Sequence, residues 1–280
     1  MKVVLFCGGL GTRMREHSES IPKPMVHIGY RPILWHVMKY YAYYGHKEFI
    51  LCLGYKADVI KNYFLAYNEC LSNDFTLSQG GKKLDLVSHD LDEWKITFVD
   101  TGLTSNIGQR LKCVEKYLWD EDMFLANYTD GLSDVPLPGV IEKLEHSTKI
   151  ACFVSVMPRS TFHFIDSDSE GVVNRIEHVS KSGARINGGF MVLRREIFSH
   201  MNDGEELVEE PFRRLIDKKQ LMTYSHDGFW ACMDTFKEWQ ELEDMFGSGH
   251  APWMVWNNHR HEAKRTIKNG YQHNKIVDNK

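Results

Sequence analysis

A glycine-rich turn followed by two fixed cations is the part of this sequence with the clearest chemical potential. An apolar run at 3–6 leads into the turn, and Arg13 and Lys23 follow it. Glycines let a backbone approach a polyphosphate closely, and both cations can form charge-assisted bonds with its oxygens. The sequence therefore predicts a nucleoside triphosphate site with Arg13 and Lys23 as its catalytic cations. The turn residues expected to bind the phosphates are Gly8, Gly9, Gly11 and Thr12.

Two common nucleotide-binding motifs do not fit this turn. A dinucleotide-binding fingerprint that begins at Gly9 needs Gly or Ala where Met14 stands, and it needs an acidic residue after the second strand. The second strand is followed instead by Gly54-Tyr55-Lys56. A Walker A loop needs Gly-Lys-Ser/Thr after four intervening residues, and this is absent. A strand-to-helix turn without a ligand would explain the glycines but not the two cations.

Two aspartates that follow apolar runs are candidates for a metal site. Asp130 follows the run 123–128, and Asp234 follows the run 229–233. Magnesium is commonly held by one or two carboxylates together with substrate oxygens, and carboxylates at strand ends can converge on one ion. We therefore predict that Asp130 and Asp234 bind Mg²⁺. The alternatives are a turn aspartate at position 130 and a helix N-cap at position 234.

Apolar runs that alternate with helical spacing predict an α/β fold with a doubly wound, mostly parallel, Rossmann-like sheet. The predicted strands are 3–7, 49–53, 96–99, 123–128, 150–156, 188–193 and 229–233. The predicted helices are 33–44, 59–67, 107–117 and 140–146. Ligands bind at the carboxyl ends of such strands, so the glycine-rich turn and Asp130 should share one edge.

Two segments depart from this alternation. Residues 68–95 carry turn residues and mixed charges, and they predict a small β-rich insertion or lid within a domain that covers 1–256. Residues 257–280 are polar, rich in His and Lys, and lack periodicity, so they predict a disordered tail.

Composition narrows the class of protein. The chain has 280 residues and a net charge of −4, which argues against a nucleic-acid partner. Its six cysteines lack the spacing of a disulfide framework or a zinc site, which predicts reduced thiols in a cytoplasmic protein. The apolar run after Met1-Lys2 is too short for a signal peptide, and no run approaches membrane-spanning length. We therefore expect no membrane partner.

The glycine-rich block with Pro22-Lys23-Pro24-Met25 resembles the sugar-1-phosphate nucleotidyltransferases, and within them the glucose-1-phosphate cytidylyltransferases. Further matching blocks follow in order at 29–36, 54–56, 99–102, 108–111, 128–131, 186–190, 228–230, 233–235 and 251–253. The resemblance implies a nucleotidyltransferase domain over 1–256 that moves CMP from CTP to the phosphate of a small metabolite, a sugar 1-phosphate, with Mg²⁺ on Asp130 and Asp234. It also implies a homo-oligomer, to which the end at 251–253 would contribute.

The resemblance assigns further binding roles. Arg110 matches a position that contacts the base or a phosphate of the nucleotide, and a helix-surface arginine is the alternative. Asn187 and Gly188 lie in a block that would contact the acceptor, where a β-bulge is the alternative.

The acceptor side departs from the family pattern. A lysine that usually faces the acceptor phosphate is missing from the segment Ile176-Glu177-His178-Val179-Ser180-Lys181. Val179 or His178 stands near its place, and Lys181 or Arg185 is a possible substitute. We therefore expect His178 and Lys181 to line a changed acceptor site.

Three functions follow. The first is a cytidylyltransferase acting on a hexose 1-phosphate, and the second is the same chemistry on another phosphorylated or phosphonylated metabolite. The third is a non-catalytic nucleotide-binding homologue, against which the presence of both cations and both aspartates argues. The preference for CTP over UTP or dTTP rests on the resemblance alone.

Overall fold

The structure is a computed structural model that describes residues 1–9, 21–159 and 162–257, and only the backbone of residue 180. Gly11, Thr12, Arg13 and the expected tail from 258 onward lie outside the described residues.

The helices are α1 (Ile33–Tyr43), α2 (Ala57–Leu65), α3 (Ile107–Val114), α4 (Leu137–Glu145), α5 (Glu210–Asp217) and α6 (Phe236–Gly247). The strands of the main sheet are β1 (Val3–Phe6), β4 (Glu48–Leu53), β7 (Lys95–Asp100), β8 (Met123–Tyr128), β10 (Ala151–Val156), β13 (Ile186–Asn187), β14 (Met191–Arg194) and β15 (Leu221–His226). The paired short strands are β2 (His27–Ile28) with β3 (Arg31–Pro32), β5 (Phe75–Ser78) with β6 (Lys83–Leu86), β9 (Gly131–Ser133) with β16 (Trp230–Cys232), and β11 (His163–Ser167) with β12 (Val173–His178).

The main sheet follows the order β13–β10–β14–β8–β1–β4–β7, and β15 pairs with β10. β1 lies between β4 and β8 and runs parallel to both, and β7 runs parallel to β4. β14 is antiparallel to β8 and β10, whereas β15 is parallel to β10. The predicted mostly parallel α/β sheet is therefore confirmed, with β14 as an antiparallel strand inside it.

Helices cover both faces of the sheet, and β1 shows how its residues divide between them. Val3 and Leu5 pack into a core that includes α1, whereas Val4 and Phe6 pack into a second core that includes α3 and α5. Alternate side chains of a strand point to opposite faces, so a strand buried on both sides must be apolar throughout.

Several elements differ from the prediction. The run 188–193 becomes a strand only from Met191, and the run 229–233 becomes β16, which pairs with β9 outside the main sheet. The sequence analysis missed β15, the β11–β12 hairpin, α5 and α6. These segments alternate polar and apolar residues or carry many charges, so they contain no continuous apolar run by which to recognise them.

The segment predicted as an insertion contains the β5–β6 hairpin and is fixed to the domain by a buried charge network. The fully buried Arg31 donates to Ser72 Oγ, Asn68 O and Tyr63 Oη. Asp90 accepts from Lys39 Nζ at 2.6 Å and from Ser72 Oγ at 2.5 Å. The base of the insertion is thus held in place, and its role as a lid stays a prediction.

Among the described residues, no helix has both the length and the apolar character needed to cross a bilayer.

Candidate nucleotide-binding and metal site

The start of the glycine-rich turn lies at the carboxyl end of the central strand. Phe6 is in register with Cys52 of β4 and with Tyr128 of β8, so the ends of three parallel strands meet there. Thr129 Oγ1 donates to Phe6 O at 3.0 Å, which ties the segment after β8 to the end of β1. Gly8, Gly9 and the segment leading to Asp130 therefore occupy one edge of the sheet.

A short strand pair brings Asp130 and Asp234 together although they are far apart in sequence. Gly131 of β9 is opposite Cys232 of β16, and Met233 N donates to Asp130 O at 2.8 Å. Asp130 directly precedes β9 and Asp234 follows β16 after one residue. The two carboxylates consequently project from the same end of this pair.

Lys23 lies between the two aspartates. Its Nζ is 2.8 Å from Asp130 Oδ2 and 2.5 Å from Asp234 Oδ1. The lysine side chain is 16 % exposed, whereas the aspartates are 33 % and 37 % exposed. Lys23 begins a 3₁₀ turn that buries Pro24 and Met25, which fixes the direction from which it approaches.

The electrostatics of Lys23 follow from these contacts. Burial by itself would lower the pKa of Lys23, because it penalises the ammonium form. The charge of Asp130 and hydrogen bonds with both aspartates outweigh that penalty, so the pKa of Lys23 is raised. A permanent positive charge therefore sits between two solvent-accessible carboxylates at neutral pH.

Asp234 is not the cap of the helix that follows it. Thr235 is the N-cap of α6, and its side chain and Glu238 form a capping box. Glu238 Oε2 also accepts from Asp234 N at 2.8 Å. The cap thus holds the backbone of Asp234 and leaves its carboxylate directed at Lys23, which removes the helix-cap alternative for this residue.

Arg110 lies beneath the glycine-rich turn and is only 1 % exposed. Its guanidinium donates to Thr101 Oγ1 at 2.7 Å, Gly102 O at 3.0 Å and Leu53 O at 3.1 Å. A Cβ at Gly8 would lie 2.1 Å from Arg110 Cζ, so the guanidinium packs directly against the backbone of the turn. The surface-arginine alternative is therefore wrong, and direct contact of Arg110 with the nucleotide stays a prediction.

The Asn-Gly-Gly block forms an irregular corner. β13 and β14 both pair with β10, but they do so in different registers. Asn187 of β13 is opposite Ser155, and Val192 of β14 is opposite Cys152. Asn187 Oδ1 accepts from Gly189 N at 2.9 Å, and the exposed Asn187 stands beside the buried Gly188. Gly188 O accepts from Trp230 Nε1 at 2.8 Å, which connects this corner to β16. The backbone is irregular between β13 and β14, and the binding role of Asn187 and Gly188 stays a prediction.

His178 and Lys181 lie at the base of the β11–β12 hairpin. The ring of His178 is 5.4 Å from that of His163, and His178 lines a cavity of about 370 Å³ with Arg159 and His226 among its walls. Lys181 is exposed in a 3₁₀ turn.

Arg185, the other possible substitute for the missing lysine, is committed to protein oxygens. It pairs with Asp227 at 2.9 Å and donates to Ser155 O at 3.0 Å and His226 O at 2.7 Å. Arg185 therefore holds His226 and Asp227, which line the cavity, and a compensating cation would have to come from another residue such as Lys181 or Arg159.

Two supporting residues were missed by the sequence reasoning. Glu238 fixes the backbone of Asp234, and the Thr-x-x-Glu spacing directly after that aspartate is a sequence signal for it. Asp134 accepts from His226 Nε2 and Phe229 N, both at 2.8 Å, and so orders the turn before β16. No local motif marks Asp134, because its partners lie more than ninety residues away.

Known proteins resemble this chain over most of its length. A family model described as "Nucleotidyl transferase" matches residues 2–235. A glucose-1-phosphate cytidylyltransferase of Salmonella typhi is 39 % identical over 257 residues, which are 91 % of this chain and 100 % of the relative. A probable glucose-1-phosphate cytidylyltransferase of Bacillus subtilis is 38 % identical over 258 residues, with the same two coverages.

Solved structures of lower sequence identity share the fold. The solved UDP-glucose pyrophosphorylase from Acinetobacter baumanii has a TM-score of 0.66 at 20 % identity, covering 96 % of this chain and 98 % of that one. Nucleotidyltransferases of this family generally use a divalent metal. The resemblance noted in the sequence is confirmed, and the chain belongs to the nucleotidyl transferase family.

Proposed function

We propose that this protein transfers CMP from CTP to the phosphate of a sugar 1-phosphate and releases pyrophosphate. The observation that carries the proposal is the position of Lys23 between Asp130 and Asp234, beside a glycine-rich turn. The choice of CTP and of a sugar phosphate is supported by the similarity to two glucose-1-phosphate cytidylyltransferases over their full length.

The two aspartates suit Mg²⁺. Both carboxylates already hold one cation, the Lys23 ammonium, and both remain about one-third exposed, so an ion could reach them from solvent. Two carboxylates with substrate oxygens are the ligand set that Mg²⁺ prefers. When bound, Mg²⁺ would neutralise charge on the reacting phosphates.

The remaining work of the site is positioning and charge stabilisation. An oxygen of the acceptor phosphate is already ionised, so the reaction needs no general base. That oxygen forms a bond to the α-phosphorus of CTP, while the bond from the α-phosphorus to the bridging oxygen breaks and pyrophosphate leaves. In this proposal the Gly8–Gly9 backbone and Arg13 bind the β- and γ-phosphates, and Lys23 stabilises the α-phosphate or the leaving pyrophosphate.

The cavity near His178 supports a second class of acceptor. The cavity there is lined by Arg159, His178 and His226, whereas the family's acceptor lysine is missing. These basic side chains suit an anionic group, and the missing lysine supports, as the second candidate, a phosphorylated or phosphonylated metabolite other than a sugar 1-phosphate.

The proposal also covers the cellular compartment and the partners of the enzyme. All six cysteines are free, and three of them are buried, which supports a reducing, cytoplasmic compartment. We infer a homo-oligomer that needs no nucleic acid or membrane partner.

Pyrophosphate release tests the proposal. The purified chain is assayed with CTP, UTP or dTTP and Mg²⁺, against glucose 1-phosphate and a panel of phosphorylated and phosphonylated metabolites. We expect release that requires Mg²⁺ and an acceptor and is fastest with CTP. Release with no nucleotide–acceptor pair would overturn enzymatic function, and binding of UTP or dTTP ten times tighter than CTP would overturn the nucleotide assignment.

A further inference from the structure

The corner at 187–190 has a backbone conformation that most residues avoid. Phe190 has a φ of +47°, and Gly189 before it has a φ of +77°. Left-handed backbone is common for glycine but costs free energy at a bulky residue such as phenylalanine. Such a conformation persists only where the surrounding structure fixes it, and it is frequent at functional sites. Contacts from other parts of the chain therefore hold this corner in its shape.

The buried amide of Asn127 makes the first of these contacts. Asn127 lies in β8 and is 1 % exposed, and its Oδ1 accepts from Phe190 N at 2.9 Å. A Cβ at Gly189 would lie 2.3 Å from the same Oδ1, so glycine is needed for the corner to approach Asn127 this closely. Asn127 stands three residues before Asp130. It therefore links the position of the corner to that of one predicted metal ligand.

The indole of Trp230 makes the second contact. Its Nε1 donates to Gly188 O at 2.8 Å, and Trp230 stands in β16, four residues before Asp234. Cys232 of the same strand has its Sγ 3.9 Å from Asp234 Oδ2. The corner is thus connected, by one hydrogen bond each, to the two segments that carry the predicted metal ligands.

Trp230 also lines the space that is open to an acceptor. It lines the cavity of about 370 Å³ near His178, and it lines a second cavity of about 420 Å³ together with Ile186 and Thr235. Ile186 directly precedes the corner, and Thr235 directly follows Asp234. The second cavity therefore extends from the corner to the neighbour of a predicted metal ligand, and an acceptor bound at the corner can reach the metal from there.

We propose that Asn127 and Trp230 are positioning residues that fix the 187–190 corner relative to Asp130 and Asp234. This inference rests on the proposed function, in which the corner contacts the acceptor and the two aspartates hold the metal. Transfer requires the acceptor oxygen and the α-phosphorus to be held in one geometry, and a small displacement of either group lowers the rate. The two hydrogen bonds maintain that geometry on the acceptor's side, and the binding of CTP does not depend on them.

Two variants that replace each side chain by an apolar one of similar shape test this role. Asn127→Leu removes the acceptor for Phe190 N, and Trp230→Phe removes the donor to Gly188 O. Pyrophosphate release is measured with CTP, Mg²⁺ and glucose 1-phosphate, or with the acceptor of the panel that the wild type uses fastest. We expect kcat/KM for the acceptor to fall about tenfold in each variant, because a buried polar group loses its partner and the corner relaxes. The KM for CTP should stay at the wild-type value, which a general loss of structure would not spare.

A third variant controls for the loss of an indole hydrogen bond as such. Trp35→Phe removes the bond from Trp35 Nε1 to Tyr67 Oη at 2.7 Å, next to the insertion at 68–95, and should keep the wild-type kcat/KM for the acceptor. Circular dichroism should show that the variants are folded, and Trp230→Phe carries the test alone if Asn127→Leu does not fold.

The outcomes separate this inference from the proposed function. Wild-type acceptor kinetics in the folded variants, or a rise in the KM for CTP equal to that for the acceptor, would overturn the positioning role. A wild-type chain that releases no pyrophosphate with any acceptor would overturn the proposed function itself, and this inference with it.

Discussion

The region proposed to bind the nucleotide phosphates (the phosphate side) and the region proposed to bind the acceptor (the acceptor side) are built in different ways. Lys23, Asp130 and Asp234 are fixed by the carboxyl ends of central parallel strands, by the β9–β16 pair and by a helix cap. His178 and Lys181 lie at the base of a two-stranded hairpin in which every residue of β11 is exposed. A site built on central strands suits groups that must be held in a fixed position, whereas a lightly supported wall can change with the acceptor.

The largest effect is expected at the phosphate side. Asp234→Asn or Lys23→Met should lower the rate of pyrophosphate release about 10²–10³-fold, because each removes a charge from the reacting phosphates. Asp203→Asn, an exposed aspartate in a turn, is the matched control and should keep the wild-type rate. Equal rates in Asp234→Asn and Asp203→Asn would contradict the metal assignment.

The buried His36 should make the free energy of unfolding depend on pH. Burial lowers the pKa of His36 to about 4, while its ring bonds with Ile28 O and Trp253 Nε1. The unfolded chain, with a His pKa of about 6.5, binds the proton first. The free energy of unfolding should therefore fall by about 3 kcal/mol as pH drops from about 6.5 to about 4.

Urea unfolding across this pH window, compared with His36→Gln, measures that contribution. The variant should show a smaller decrease in the free energy of unfolding than the wild type. His146→Gln replaces an exposed histidine and should follow the wild type. Parallel pH profiles for the wild type and His36→Gln would show that His36 does not cause the decrease.

A smaller loss is expected from the residue that positions Asp234. Glu238→Ala removes the acceptor for Asp234 N and the capping box of α6, so the carboxylate should lose its fixed direction. We expect kcat to fall about tenfold, by analogy with hydrogen bonds to charged groups. Glu241→Ala removes only a long surface ion pair on the same helix and should change kcat little. A kcat of Glu238→Ala equal to that of Glu241→Ala would contradict the positioning role of Glu238.

The smallest effect is expected at the acceptor side. His178→Ala should raise the KM for the acceptor by about threefold to tenfold, the cost of one polar contact, and leave the KM for CTP unchanged. His146→Ala serves as the exposed-histidine control. An increase in the KM for CTP instead would place His178 at the nucleotide and contradict its assignment to the acceptor side.

The phosphate side was largely predictable because its chemistry restricts residue types. Glycines before a cation, and aspartates after apolar runs, singled out Lys23, Asp130 and Asp234 from local spacing, and the structure brings these three residues together. Asp130 and Asp234 meet through the antiparallel β9–β16 pair outside the main sheet, and the alternation of runs did not predict that pair.

The acceptor side was less predictable. The contacts that support it join segments far apart in sequence, and no local periodicity or composition marks them. The contact of Asp134 with His226 and Phe229 joins distant segments, and the β11–β12 hairpin mixes polar and apolar residues on both faces. Arg110 shows a related limit: its helix position was evident, but its burial under Gly8 follows from how α3 packs against the sheet.

Metal binding tests the central claim most directly. Mn²⁺ can replace Mg²⁺ as a spectroscopic probe, and its binding to the full chain with CTP is measured by electron paramagnetic resonance. Asp130→Asn and Asp234→Asn should each weaken Mn²⁺ binding in the presence of CTP at least tenfold, whereas Asp203→Asn should not. Wild-type Mn²⁺ affinity in both site variants would show that these carboxylates do not hold the metal.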